Sequence, residues 1–328
     1  MRGRVQKLQS IQVLRAVAAC AVVVLHAYPN PHAPIGNAGY GAFGVDLFFV
    51  ISGFIMAQVA QGRSAGQFLR DRLWRIYPLW WVAVLPWLFM VPRGPLSLAS
   101  SLTLWPIFAG EYYVPVLKVG WTLSFELLFY AGMTVALASR AVVPLALYAL
   151  LLLGGLATAN PLLHFVGSPM AFEFLMGLTI ARLPRRAVFA WFIPAGLALL
   201  FLTSPGMGNV EATLGGDNAL QRAIEWGLPA AMIVWGALSI EDLFHRRLFH
   251  VPVFIGDASY SVYLFHPLVA YSLSAAWPIR LVAAIALGCA MHVLVERRLV
   301  SAKKWTEGAR SKLHASTLMS AVGGKQTL

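Results

Sequence analysis

Long apolar runs separated by short polar connections dominate the chain. A helix needs about 20 mainly apolar residues to cross a bilayer, and several runs approach that length. The third run is the shortest, but Pro78 opens it and its tryptophans favour a membrane interface. The pattern predicts an all-α, polytopic transmembrane helical bundle of about ten spans, at residues 11–28, 43–60, 78–92, 121–138, 141–159, 165–182, 187–203, 223–240, 257–276 and 278–296.

One further apolar run, at residues 96–108, is too short to count as a span. It lies in the long connection between the third and fourth predicted spans. A run of this length is typical of an interfacial or re-entrant segment. We therefore expect it to lie at the membrane surface or to enter the bilayer and return.

Composition excludes a soluble enzyme. Of 328 residues, 59% are hydrophobic and 12% charged, and the mean hydropathy is +0.70. Soluble domains carry about 25% charged residues, so this chain has too few polar side chains to cover a water-facing surface. Its two cysteines, Cys20 and Cys289, both lie inside apolar runs and provide neither a disulfide framework nor a paired metal-ligand spacing.

The basic residues predict the orientation of the bundle. With ten spans, 20 of the 25 Lys and Arg residues fall on the side that holds both termini. The other side holds only Arg93, Lys118, Arg222 and Arg280, and Arg15 lies inside the first span. The positive-inside rule then makes both termini cytoplasmic, which explains the net charge of +12 without nucleic acid. We expect a transmembrane domain at 8–298 and a polar cytoplasmic tail at 299–328.

Charged residues inside the spans are the informative ones, because each needs a partner or a polar cavity. Arg15 and His26 are eleven residues apart in the first span. On an α-helix they project from one face, about 16 Å apart. We therefore predict that both side chains line one cavity, with Arg15 towards the cytoplasm and His26 towards the outside.

Two acids are predicted near the level of His26. Asp46 lies close to the outer end of the second span, and Glu126 lies about one turn inside the start of the fourth. A neutral imidazole is a natural base, and a carboxylate can fix its tautomer. Simpler alternatives are a headgroup-bound His26, an Asp46 that caps its helix, and a Glu126 stabilised by the helix dipole.

Other polar groups could also act inside the membrane. Residues 70–78 combine three arginines with two aromatic residues just before a span, which fits either headgroup binding or the clamping of a phosphorylated ligand. We expect Glu296 to pair with the basic residues that follow it. Further buried candidates are Glu173, His266 and His292.

Common nucleotide-binding, zinc-protease and serine-esterase motifs are absent from the sequence. Intramembrane charges also occur in transporters and flippases, so a carrier of a glycan or small anion is an alternative function. The sequence has no internal repeat of the kind typical of carriers. A scaffolding protein would not account for charges on several separate spans.

Five features in order resemble the membrane-bound acyltransferase 3 family, over about residues 8–298. The features are Arg15 and His26 with ten residues between them, then 44–54 (GVDLFFVISGF), 72–78 (RLWRIYP), 121–126 (WTLSFE) and 260–266 (YSVYLFH). The resemblance is narrower to compact members that O-acetylate exopolysaccharide or lipo-oligosaccharide. It implies a multi-pass protein of the bacterial inner membrane, an acyl-CoA donor (acetyl-CoA above all), a glycan or lipid-linked oligosaccharide acceptor and no metal.

The resemblance also implies roles for nine residues. His26, Glu126 and Asp46 would be catalytic, with His26 as the base that activates a sugar hydroxyl and Glu126 as its support. Direct transfer is the default mechanism, and an acyl-histidine intermediate is the alternative. Ser52 beside a glycine is also typical of helix packing. The residues implied in donor binding are Arg15, Arg72, Arg75, Ser52, Tyr263 and His266.

Overall fold

The computed structural model describes residues 7–28, 38–139, 142–203, 213–214, 216 and 218–302. Most of the predicted tail, from residue 303 onwards, lies outside the described residues. The α-helices are α1 Gln9–Ala27, α2 Phe43–Val59, α3 Ala65–Met90, α4 Pro95–Thr103, α5 Trp121–Ala138, α6 Val142–Ala157, α7 Pro161–Val166, α8 Ala171–Ile180, α9 Phe192–Phe201, α10 Ala219–Arg222, α11 Leu228–Leu238, α12 His250–Asp257, α13 Ser259–Ser272 and α14 Trp277–Met291. Two π-helical turns, Ala223–Gly227 and His292–Glu296, continue α10 and α14.

The membrane-helix prediction is confirmed, although fewer helices qualify as spans than predicted. Within the described residues, six segments are long and apolar enough to cross a bilayer: Gln9–Ala27, Gly39–Val59, Ala65–Met90, Lys118–Ala138, Pro161–Ile180 and Trp277–Ala302. The pair Arg247–Asp257 and Ser259–Ser272, bent by 68°, becomes a seventh if it counts as one span. Two shorter apolar segments, Val142–Ala157 and Ala187–Phe201, occupy further predicted spans.

Helix α3 starts thirteen residues before the predicted opening at Pro78. Ser64 and Gln67 form a reciprocal capping box that satisfies the first N–H groups of the helix. Pro78 and Pro86 then lie inside the helix and do not end it. Membrane helices tolerate proline because neighbouring groups satisfy the freed carbonyl groups. The helix therefore carries residues 70–77 into the bundle as regular helix.

The run at 96–108 is not a span. It forms the nine-residue helix α4 and then the first strand of a hairpin, β1 Ile107–Phe108 with β2 Glu111–Tyr112. Ser100 Oγ donates to the carbonyl of Tyr113 at 2.5 Å, which fastens the segment after the hairpin to α4. This folded connection joins the ends of α3 and α5 on one side of the bundle.

Glycines bring α1, α2 and α8 close together. A Cβ at Gly44 of α2 would meet the carbonyl oxygen of Ala18 in α1. Gly53 of α2 and Gly177 of α8 lie against each other's backbone in the same way. Small residues allow this close approach in membrane bundles, where packing rather than water exclusion holds helices together. Helix α2 is thus held between α1 and α8, with Ser52 directed into the interior.

Candidate active site

A cavity of about 420 Å³ lies among α1, α2, α3, α5 and α13. Its volume is in the range of sites that hold small molecules and cofactors. The cavity is lined by six of the nine residues nominated from the sequence: Arg15, Ser52, Arg72, Arg75, Glu126 and Tyr263. The remaining three, Asp46, His26 and His266, lie outside its lining.

Three arginines make this cavity electropositive. Arg75 forms a salt bridge with Glu296. Arg72 makes no ion pair with any described residue, and its Nε is buried without a hydrogen-bond partner. The Nη1 of Arg15 donates to the side-chain carbonyl of Gln12 at 3.4 Å. Two guanidinium groups therefore face the cavity without a bonded carboxylate in the described part of the chain.

Glu296 pairs across the bundle and not with the basic residues that follow it. Besides Arg75, its carboxylate accepts from Ser261 Oγ at 2.7 Å and lies 2.7 Å from Nδ1 of His292. The π-helical turn His292–Glu296 ends at this carboxylate, and such turns are frequent at functional sites. The pairing fixes Arg75 at the edge of the cavity.

Glu126 belongs to the arginine cavity. Its Oε1 accepts hydrogen bonds from Ser52 Oγ at 3.3 Å and from the hydroxyl of Tyr130 at 2.5 Å. It makes no hydrogen bond to His26. The expected support of the imidazole by this carboxylate is therefore not what the structure provides, and Ser52 makes a polar contact as well as packing beside Gly53.

Asp46 is bound to Arg222. The two Arg222 nitrogens Nε and Nη2 lie 2.9 and 2.8 Å from the two Asp46 oxygens, and both side chains are fully buried. Arg222 also lies 5.6 Å from the ring of Trp121, which places the start of α5 at this level. Glu126 is five residues further on, about 7.5 Å deeper. The two acids therefore do not share a level.

Arg222 was expected in an outer loop, but it is completely buried at the end of α10. Glu173 of α8 is fully buried in the same interior region, next to Asp46 and Arg222. The signal that could have located Arg222 was its position directly before the apolar run that begins at residue 223.

Arg15 and His26 lie on one helix, as predicted, but only Arg15 lines the cavity. His26 lies about 16 Å further along α1 and contacts His266, with ring centroids 4.9 Å apart. Tyr263 connects the two regions, because it lines the cavity and its ring lies 6.0 Å from that of His266. The groups therefore follow the order Arg15, Tyr263, His266 and His26.

The hydrogen bonds of the two histidines define their tautomers. Nδ1 of His266 lies 2.8 Å from the carbonyl of Tyr263, and Nδ1 of His26 lies 2.9 Å from the carbonyl of Val22. A carbonyl oxygen only accepts, so each Nδ1 carries the proton of the neutral ring. Nε2 of His266, 3.3 Å from Nδ1 of His26, is then an acceptor. Nε2 of His26 keeps a lone pair with no partner among the described residues.

Within the described ranges, no group of three or more His, Cys, Asp or Glu side chains is arranged to hold a metal ion. The polar groups around the cavity are guanidinium, carboxylate and hydroxyl groups. This set can bind an anion and position hydrogen bonds, and the histidine pair beyond it can accept a proton.

An acyltransferase-domain profile matches residues 8–295, which include the cavity, the histidine pair and the Asp46–Arg222 ion pair. The chain belongs to the acyltransferase 3 family. It is therefore a membrane O-acyltransferase. It is 34% identical over 253 residues to the exopolysaccharide production protein ExoZ of Rhizobium meliloti, covering 69% of this chain and 75% of that protein.

A second relative of this acyltransferase covers more of the chain at lower identity. Nodulation protein 10 of Rhizobium leguminosarum bv. viciae is 25% identical over 357 residues, covering 88% of this chain and 92% of that protein. No solved structure is significantly similar to the chain.

Proposed function

We propose that this acyltransferase moves an acyl group, above all acetyl, from cytoplasmic acyl-CoA to a hydroxyl of an exported or cell-surface glycan such as exopolysaccharide. The observation that carries the proposal is the arginine cavity followed, along α1, by a histidine whose Nε2 has no hydrogen-bond partner in the described part of the chain. The name of the exopolysaccharide production relative supports a glycan acceptor.

The donor phosphates bind at Arg15, Arg72 and Arg75 in this proposal. Acyl-CoA carries several phosphate charges, and guanidinium groups bind phosphate with strong, directional hydrogen bonds. The Nε–H of Arg72 is buried without a hydrogen-bond partner among the described residues, and a phosphate oxygen would satisfy it. Ser52, Glu126 and Tyr263 would then contact the arm of the donor as it extends towards the histidines.

The proposed topology has ten spans, cytoplasmic termini and a position in the bacterial inner membrane. Helix α3 supports it, because Arg72 and Arg75 lie in its first half and Arg93 follows its end. The distance from Arg75 to Met90 along the helix is about 22 Å. The arginine cavity then faces the cytoplasm, and the connection after α3 faces outside.

In the proposed reaction, Nε2 of His26 accepts the proton of the sugar hydroxyl while the hydroxyl oxygen attacks the thioester carbonyl carbon. The C–O bond forms, the C–S bond breaks, and the imidazolium returns its proton to the departing thiolate to give free CoA. His266 is a positioning residue, because its Nε2 lies 3.3 Å from Nδ1 of His26 and shares the Nδ1 proton with the carbonyl of Val22, which orients the imidazole. Asp46 holds the bundle together through Arg222.

Replacing Arg72 tests donor binding. Arg72→Gln should raise the KM for acyl-CoA roughly 10- to 100-fold, since a hydrogen bond to a charged group contributes about 1.5–3 kcal/mol, with kcat nearly unchanged. Arg72 is a cleaner target than Arg75, whose loss would also leave Glu296 buried without its guanidinium partner. Initial rates in isolated membranes measure both constants.

Arg70→Gln is the matched control, because Arg70 is an exposed arginine on the same helix. Its KM should stay within about twofold of the wild-type value. A collapse of kcat at constant KM in Arg72→Gln would contradict the donor-binding role.

A further inference from the structure

A second, more open cavity of about 850 Å³ lies in the connection between α3 and α5. It is at the opposite end of α3 from the arginine cavity. Its lining includes Arg93, Ser97, Tyr112, Tyr113 and Lys118. None of the residues nominated from the sequence belongs to it.

Two exposed cations face this cavity without a bonded acid. The side chains of Arg93 and Lys118 make no hydrogen bond or ion pair with a described residue, and no Asp or Glu lines the cavity. The neighbouring Glu111 accepts a hydrogen bond from the hydroxyl of Tyr113 at 3.3 Å. The other two basic residues predicted on this side are occupied. Arg222 binds Asp46, and Arg280 donates to the carbonyl of Ala270 at 3.3 Å.

Lys and Arg are scarce on the outer side of membrane proteins. Two of the four basic residues of this side nevertheless lie in one concave site. The result is a local positive charge that is suited to an anionic ligand. A simpler explanation is that Arg93 and Lys118 only extend their charges to the membrane surface. That explanation does not account for the presence of both side chains in one cavity.

Two tyrosines are held in place beside these cations. The hydroxyl of Tyr112 donates to the carbonyl of Pro161 at 2.8 Å, and the backbone N–H of Tyr113 donates to the carbonyl of Pro106 at 2.8 Å. Tyrosine rings offer apolar faces and polar edges, which suit a sugar ring with its C–H face and hydroxyl rim. The two hydrogen bonds fix the ring of Tyr112 and the backbone of Tyr113 beside the cations.

The cavity and His26 lie at the same end of α3. Trp87 in the last turn of α3 has its ring 6.2 Å from that of Tyr271, whose ring lies 6.1 Å from His26. Nε1 of Trp87 is buried without a hydrogen-bond partner. Arg93 follows only six residues after Trp87, so a chain of aromatic contacts runs from the reactive histidine towards the cavity.

We propose that this cavity binds the acceptor glycan through a negative charge that the glycan carries. The inference rests on the proposed function and names the acceptor class. The charge can be a carboxylate on an acidic sugar or the diphosphate that joins a glycan to its carrier lipid. In either case Arg93 and Lys118 bind the anion, and the tyrosines contact neighbouring sugar rings.

The test compares acceptors of different charge on the full chain in phosphatidylcholine nanodiscs. The acceptors are a glucuronate-containing oligosaccharide, a neutral oligosaccharide of equal length, and the neutral oligosaccharide on polyprenyl diphosphate. The variant is Arg93→Gln with Lys118→Gln, and the control is the charge-preserving swap Arg93→Lys with Lys118→Arg. Acceptor KM, acyl-CoA KM and direct acceptor binding without donor are measured.

The double Gln variant should raise the KM and Kd of a charged acceptor roughly tenfold, as expected for two exposed ionic contacts. The KM of the double Gln variant for acyl-CoA should stay near the wild-type value. The swap variant should keep near-wild-type KM and Kd values for the charged acceptor. An effect on the glucuronate acceptor identifies the carboxylate, and an effect on the diphosphate acceptor identifies the carrier. Unchanged constants for every acceptor would overturn the inference.

Direct binding separates this inference from the proposed function. If the wild type binds the charged acceptor, the variant does not, and no acyl transfer from acyl-CoA occurs, then the proposed function fails and the acceptor site stands. If transfer proceeds and acceptor binding is unaffected by the variant, the site is refuted and the function stands.

Discussion

Replacing His26 with alanine is expected to lower acyl transfer to glycan by about 10²- to 10⁴-fold, the contribution of a positioned general base. The KM for acyl-CoA should change little, because His26 lies outside the arginine cavity. The measurement is transfer of label from acetyl-CoA to surface polysaccharide in membranes that contain equal amounts of enzyme. His250→Ala, an exposed histidine, is the control and should behave as wild type.

Variants of His266 test whether its contact with His26 supports the reaction or is only part of the packing. His266→Gln places an amide oxygen near the former Nε2 and can still accept from His26, so most of the activity should remain. His266→Leu cannot accept, and its activity should fall between those of wild type and His26→Ala, with a displaced pH profile. Equal losses in the Gln and Leu variants, with an unchanged pH profile, would contradict the positioning role. Full activity in His26→Ala would refute the proposed base.

Replacing Asp46 with alanine is expected to lower the free energy of unfolding by about 3–5 kcal/mol, because the buried Arg222 guanidinium loses its carboxylate partner. Thermal unfolding in detergent and the yield of monodisperse protein report the change. The double variant Asp46→Leu with Arg222→Met should recover much of the loss, since both charges are then removed.

Asp242→Ala serves as the control for Asp46, because Asp242 is exposed. Its unfolding should differ from wild type by less than about 0.5 kcal/mol. If Asp46→Ala unfolded at the wild-type temperature but lost activity as fully as His26→Ala, Asp46 would be a catalytic residue and the structural role would be refuted.

Helix periodicity was enough to predict that Arg15 and His26 lie on one helix, but not that only Arg15 lines the cavity. Arg15 and His26 are eleven residues apart, and helix geometry alone places them on one face. The arginines of α3 could also be located, because a basic and aromatic stretch directly preceded an apolar run. Each of these inferences concerns residues within a single helix.

Contacts between distant helices could not be predicted in this way. Asp46 and Arg222 are 176 residues apart, and nothing in either local sequence indicates that the two helix ends meet. The pairing of Arg75 with Glu296 likewise joins α3 to the π-helical turn that follows α14. The pattern along the chain indicates which side chains share one face of a helix. Which residues of other helices they contact depends on how the helices pack.

We infer that donor and acceptor reach the reactive histidine from opposite sides of the membrane. Inside-out vesicles, whose cytoplasmic face is outwards, test this when the glycan is trapped in the lumen and labelled acyl-CoA is added outside. Ester label should form on the luminal glycan and be absent with His26→Ala. Label that forms only when glycan and acyl-CoA are added on the same side would contradict the inference.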